Sequence, residues 1–188
     1  MLVFFIACRP AKPNTAFAKT NDQALFWAHL QQLCGHTYAG EVVAAPANDT
    51  TFKNKTLLMH VRACSNGVIR VPFLVGEDRS RTWVFSRQNE TLLLKHDHRH
   101  KDGTADSVTQ YGGFTTNSGS PTMQVFPADA QTVSILPAAF GNVWWVELKP
   151  GEAFTYNLRR MGTDRYFSIR FNLQQTVPAP PAPWGWQE

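Results

Sequence analysis

Ten short tracts rich in Val, Ile, Thr, Phe, Tyr or Trp follow one another along this chain, most of them separated by only a few turn-forming residues. They occupy residues 38–45, 56–64, 68–75, 81–87, 91–100, 123–126, 132–136, 143–148, 153–159 and 165–173. Among the separators are Ser65-Asn66-Gly67, Gly76-Glu77-Asp78, Gln88-Asn89-Glu90, Lys149-Pro150-Gly151 and Met161-Gly162-Thr163-Asp164. A tight turn leaves no length for a crossover, so neighbouring strands must run antiparallel. An open sheet of about ten such strands would expose two long edges, so the sheet must close into a barrel or split into a sandwich.

Alternation along the tracts favours the barrel. Phe167, Ile169, Phe171 and Leu173 share one face, with Ser168, Arg170 and Asn172 on the other. Leu57, Met59, Val61 and Ala63 alternate in the same way with Leu58, His60, Arg62 and Cys64. One dry face and one wet face fit an up-and-down barrel, with a β-sandwich as the alternative. Residues 21–35 predict the one helix. Asn21 or Asp22 caps it, Leu25, Phe26, Leu30 and Leu33 recur at helical spacing, and Gly35 stops it.

The chain reads as residues 1–8, a remnant of a lipoprotein signal; 9–20, a Pro-, Ala-, Lys- and Thr-containing linker; 21–175, the barrel domain; and 176–188, a Pro-rich tail that is either a loose end or a docking segment. The signal reading rests on Ile6-Ala7-Cys8 after an apolar run, which makes Cys8 the lipidated residue and the membrane a partner through that anchor. The alternative for this segment is an ordinary apolar strand carrying a buried thiol. Cys34 and Cys64 then form an even pair, expected to bridge in an oxidising compartment. The expected location is the periplasmic side of a bacterial membrane, or secretion.

Composition excludes several classes. Hydrophobic residues at 43% exclude disorder as the main state. No apolar run reaches the ~18 residues of a spanning helix. A net charge of +4, spread along 188 residues, gives no reason to expect nucleic acid. There is no Gly-x-Ser-x-Gly elbow, phosphate-binding glycine loop or Cys-x-x-Cys.

The chemically unusual segment is Lys95-His96-Asp97-His98-Arg99-His100. On a strand, His96, His98 and His100 lie on the face of Leu92 and Leu94, while Lys95, Asp97 and Arg99 lie on the other. With the leucines inside, the imidazoles form a polar row running from the core to one barrel mouth. Strand neighbours two apart sit ~6–7 Å from each other. His96 and His98 could therefore share a metal ion such as Zn²⁺, whereas the outer pair, ~13 Å apart, could not do so without strain. A row of hydrogen-bonded structural histidines is the plainer reading. The third is a small-molecule pocket, in which Tyr111 and the Arg81 and Trp83 face of the preceding strand join the histidines. Residues 104–122, with Tyr111-Gly112-Gly113, carry little strand pattern and read as a lid, a binding loop or a hairpin extension.

The helix followed by Cys34-Gly35-His36-Thr37-Tyr38-Ala39-Gly40-Glu41 and a series of hairpins resembles the start of a lipocalin-like (calycin) barrel, over residues 34–175. The His-Asp-His-Arg-His plus Tyr-Gly-Gly signature at residues 95–113 is similar to that of uncharacterised bacterial secreted proteins. The resemblance implies a barrel and export, and no activity. Three functions are therefore expected, in this order: an exported cell-envelope barrel binding a small ligand in a His-lined mouth; a metal-dependent hydrolase-type enzyme using the His row; and a structural interaction module of the envelope.

Overall fold

A computed structural model describes residues 21–89 and 91–187. Cys8, the signal remnant and the linker of residues 9–20 lie outside the described residues. The elements are α1 (Asp22–Gln31), β1 (Thr37–Ala44), β2 (Leu57–His60), β3 (Ala63–Ser65), β4 (Val68–Val75), β5 (Asp78–Gln88), β6 (Thr91–His98), β7 (Tyr111–Phe114), β8 (Met123–Pro127), α2 (Ala130–Ile135), a 3₁₀ turn (Pro137–Ala139), β9 (Asn142–Lys149), β10 (Ala153–Arg160) and β11 (Tyr166–Asn172).

The sheet is antiparallel throughout, in the order β7-β6-β5-β4-β2-β1-β11-β10-β9-β8, with β3 also paired to β4. First and last strands meet as β1 and β11, through Gly40↔Phe171 and Val42↔Ile169. This is the expected up-and-down barrel, closed except for a seam between β7 and β8. Its interior is aromatic: Phe73, Trp83, Phe85, Phe126, Trp144, Phe154 and Phe171 are all essentially buried. Each such side chain contributes roughly 2–3 kcal/mol through removal of apolar surface from water.

Helix α1 begins where Asn21 Oδ1 accepts a hydrogen bond from Ala24 N at 3.0 Å. Phe26, Trp27 and Leu30 enter the common core, while Leu25, expected inside, is 40% exposed. The Gln23 amide donates to Thr115 Oγ1 and to the Asn117 carbonyl, both at 2.8 Å. These contacts follow β7 in sequence and fix the helix at the end of the barrel opposite Tyr111. A disulfide joins Cys34, just after the helix, to Cys64 in β3, with Cα atoms 6.2 Å apart. Among the described residues no helix is long and apolar enough to cross a membrane.

Two expectations are corrected. Residues 132–136 are not a strand. Asp129 caps α2 there by accepting from Thr132 N at 2.8 Å, and that local bond outweighs the β-branched composition. Residues 104–122 are not one continuous loop either, because Tyr111–Phe114 form edge strand β7, paired with β6. Its glycines hide the strand pattern and explain the seam. Gly112 has φ +149°, and a Cβ on it would overlap the Leu94 carbonyl oxygen. A Cβ on Gly113 would overlap the Pro127 carbonyl oxygen of β8. Gly113 therefore lets β7 approach β8 at the seam, and Gly112 lets it approach β6, as only glycine permits. Asp129 N donates to Gly112 O at 2.9 Å. The buried Thr132 hydroxyl donates to Gly112 O at 2.7 Å and accepts from Gly112 N at 2.6 Å.

The tail docks. Trp184 N donates to Arg79 O at 3.1 Å, and an Arg79 Nη donates to Ala182 O at 3.1 Å. The Arg62 guanidinium lies 5.0 Å from the Trp186 ring centroid and the Lys101 ammonium 5.8 Å from that of Trp184. Of the two readings of residues 176–188, the described part fits the docking segment.

Two outcomes test this account. Gly113→Ala should lower unfolding stability by about 3 kcal/mol through backbone overlap, against about 1 kcal/mol for Gly76→Ala, whose added Cβ meets open space. Equal losses in urea unfolding would refute a glycine requirement at the seam. Replacing Cys34 and Cys64 by Ala should cost about 3–4 kcal/mol, the chain-entropy value for a loop of this length.

Candidate functional site

The barrel mouth is built from successive rungs of paired strands. In the β5–β6 register Phe85 faces Leu94, Trp83 faces His96 and Arg81 faces His98. The interior therefore passes from apolar to polar to charged along two adjacent strands. His96 also pairs with Tyr111 on β7, so its ring lies between β5 and the barrel edge. From the opposite wall, β10 brings Tyr156 and Leu158, and β9 brings Trp144.

The rings interlock. The His96 ring stacks on Tyr111 at 4.5 Å and 10° and leans on Trp144 at 5.1 Å. Trp83 stacks on Tyr156 at 4.4 Å and on Phe73 at 4.8 Å. His96 Nδ1 lies 3.0 Å from the Tyr111 carbonyl oxygen, an acceptor only, so Nδ1 carries the proton. Nε2 then accepts from the Tyr156 hydroxyl at 2.7 Å. His98 Nε2 and the Tyr111 hydroxyl share a hydrogen bond of 2.9 Å. Two His–Tyr pairs thus form the polar floor.

Burial keeps this floor uncharged. Desolvation pushes His96 down to about 3, with smaller contributions from His98 and Lys95. His98 falls to about 4, again through burial first and then the Arg81 charge. Burial lifts the Tyr111 hydroxyl to about 12 and holds Tyr156 well above its ordinary value. At neutral pH the floor is two neutral imidazoles and two un-ionised phenols.

These residues border a cavity of about 220 Å³. That exceeds the roughly 150 Å³ of an apolar protein cavity able to hold benzene. Phe52, Phe73, Trp83, Leu136, Leu158 and Phe167 form its apolar wall. Phe52 arches over the opening from residues 45–56, a turn held by Asp49, which accepts from the backbone N–H of Thr51, Phe52 and Lys53 at 2.9–3.0 Å. It packs edge-on against Phe167 at 5.2 Å. Trp144 Nε1 is buried in the wall; it makes no well-formed hydrogen bond but lies close enough to Tyr156 to lower its pKa. Arg81, Arg160 and Arg165 supply the charge at the rim.

The sequence-predicted residues separate cleanly. His96, His98, Tyr111, Arg81 and Trp83 all line the cavity. His100 does not. The strand ends at His98, and a tight turn, closed by His100 N donating to Thr104 O at 2.9 Å, leaves the His100 side chain exposed. The metal reading meets a competing arrangement, since each Nε2 of His96 and His98 is engaged by a different tyrosine. Among the described residues no group of three His, Cys, Asp or Glu is placed to hold a metal. The opposite face of the row is outside, as expected, but not simply solvated. Lys95 is 9% exposed, and its ammonium donates to Asp129 Oδ2 at 2.7 Å and Gln131 Oε1 at 2.8 Å in the α2 segment.

Sequence reasoning missed Trp144, Tyr156, Asn142, Arg160 and Arg165. Tyr156 shares parity with Phe154 and Leu158, which marks it as inward, but nothing local says that it faces His96 across the barrel. No family model matches the chain, and no curated protein or solved structure matches it.

The neutral histidines make folding pH-dependent. Unfolded, both imidazoles take up protons near pH 6.5; folded, they resist until about pH 3 to 4. The unfolded state therefore binds more protons in this window, and stability falls as pH drops through it, by roughly 1.4 kcal/mol per pH unit for each proton. Urea unfolding between pH 7 and pH 4.5 should show that loss. His96→Gln should flatten the slope by about one proton, and an unchanged slope would contradict burial of a neutral ring.

Proposed function

We propose that this protein is an exported cell-envelope β-barrel that binds a small ligand in its His-lined mouth. The observation that carries the reading is an aromatic-walled cavity of about 220 Å³ above a buried, uncharged His–Tyr floor. An apolar wall with a few convergent polar groups is the usual construction of a small-molecule site. Tyr111, Tyr156, His96 and His98 already satisfy one another, so the floor is preorganised and loses little order on binding.

Export is supported by the bridged Cys34 and Cys64, a pairing that persists in oxidising compartments. The membrane attachment through Cys8 rests on the Ile6-Ala7-Cys8 pattern. An intact mass of the protein from its native host carrying a diacylglyceryl group on Cys8 is the expected result, and an unmodified Cys8 would exclude the anchor.

The binding reading is tested with the oxidised protein and a panel of one- and two-ring aromatic compounds, neutral and charged, by tryptophan fluorescence and calorimetry. At least one compound should bind saturably at one per chain. Leu158→Trp, which fills the cavity from its wall, should abolish that binding while the fold persists by circular dichroism. A panel without a single saturable ligand, or binding unaffected by the filled cavity, would overturn the proposal.

A further inference from the structure

The charges at the mouth specify more than a small ligand. The residues lining the cavity include three arginines and neither Asp nor Glu. Arg81 is already neutralised by its ion pair with Asp78. Arg160 and Arg165 are not. They close the β10–β11 hairpin, where Arg160 N donates to Arg165 O at 2.9 Å, one rung beyond the Arg159↔Tyr166 pair. The Arg160 side chain donates through Nε to Asn142 Oδ1 at 2.8 Å, a neutral acceptor. The Arg165 guanidinium lies 5.1 Å from the Phe167 ring centroid. Among the described residues no carboxylate forms an ion pair with either.

Like charges on facing positions of an antiparallel pair repel. Arg160 and Arg165 both line the cavity, and burial followed by the Arg165 charge lowers the Arg160 pKa. A bland reading, arginines merely solvated at strand ends, would suit Arg165, which is exposed. It suits Arg160 poorly, because this side chain is half-buried and held by a buried asparagine beside the cavity. Leu158, Phe167 and Trp83 line the same cavity as these arginines. Two guanidiniums without carboxylate partners, lining one cavity with aromatic and aliphatic walls, are complementary to a planar carboxylate, held by charge-assisted hydrogen bonds at one end and by ring contacts at the other.

We infer that the mouth takes a small aromatic carboxylate, its carboxylate on Arg160 and Arg165 and its ring against Leu158, Phe167 and Trp83. This rests on the small-ligand reading and gives it a ligand class. Benzoate, benzamide, benzylamine and inorganic phosphate serve as probes, measured by calorimetry at low ionic strength on the intact protein.

Benzoate should bind at least tenfold more tightly than benzamide or phosphate, and benzylamine more weakly than either. The preference should shrink with added salt. Arg160→Gln/Arg165→Gln should bring benzoate to the level of benzamide and leave benzamide unchanged. Arg165→Gln alone, at an exposed position, should remove part of the preference and guards against a folding defect in the double variant. Benzamide binding as tightly as benzoate would overturn the carboxylate inference and leave the small-ligand reading standing. Phosphate matching benzoate would overturn the aromatic part. A benzoate preference surviving in the double variant would overturn the assignment to these two arginines. Silence of all four probes overturns the inference, and the small-ligand reading falls with it only if the wider aromatic panel is silent as well.

Discussion

A sheet of ten antiparallel strands has to dispose of its two edges, and here the whole molecule depends on how the last gap is closed. The β7 edge meets β8 through the Gly112-Gly113 backbone, with Thr132 and Asp129 of the α2 segment bonding across the seam. Lys95, on the outer face of β6, anchors that segment from behind through Asp129 and Gln131. The seam bonds pair Gly112 N, Gly112 O and Asp129 N, backbone groups that would otherwise be unpaired in a partly buried position, where each would cost free energy comparable to a lost hydrogen bond.

Closure and candidate site share residues. His96 donates through Nδ1 to the backbone carbonyl of Tyr111 in the edge strand and accepts through Nε2 from Tyr156 on the far wall. One imidazole thus ties the edge to the opposite side of the barrel while forming the cavity floor. This works only if the ring is neutral, because each nitrogen has one role, and burial enforces that state. The floor is therefore uncharged, and the charged residues lining the cavity are arginines, one of them paired with Asp78. Such a gradient, uncharged at depth and cationic at the rim, is what the proposed ligand would need to keep its polar end near water while its body is buried.

The barrel was legible because side-chain alternation and turn chemistry act locally. Phe167, Ile169, Phe171 and Leu173 announced their inward face, and all four are buried. The parity count on His96 and His98 held for the same reason. It failed at His100, where a turn ends the strand, since parity has meaning only while the backbone stays extended. It also failed to reveal β7, because two of that strand's four residues are glycines and glycine carries no β signal. At residues 132–136 the β-branched residues argued for a strand, and a side-chain cap three residues away decided otherwise.

Taken alone, the sequence determined an antiparallel sheet of about ten strands that must close or split, the inward face of most strands, an even pair of cysteines and a polar row on one strand. These follow from periods of two and from turns, which any window of the chain carries within itself. The tertiary structure alone decided that Tyr156 and Trp144 complete the floor, that Arg160 and Arg165 stand over it, and that Gly112 and Gly113 are a seam rather than a lid. Each of these joins residues far apart in the chain. Their proximity comes from the order and register in which the barrel closes, and no local stretch of sequence encodes it.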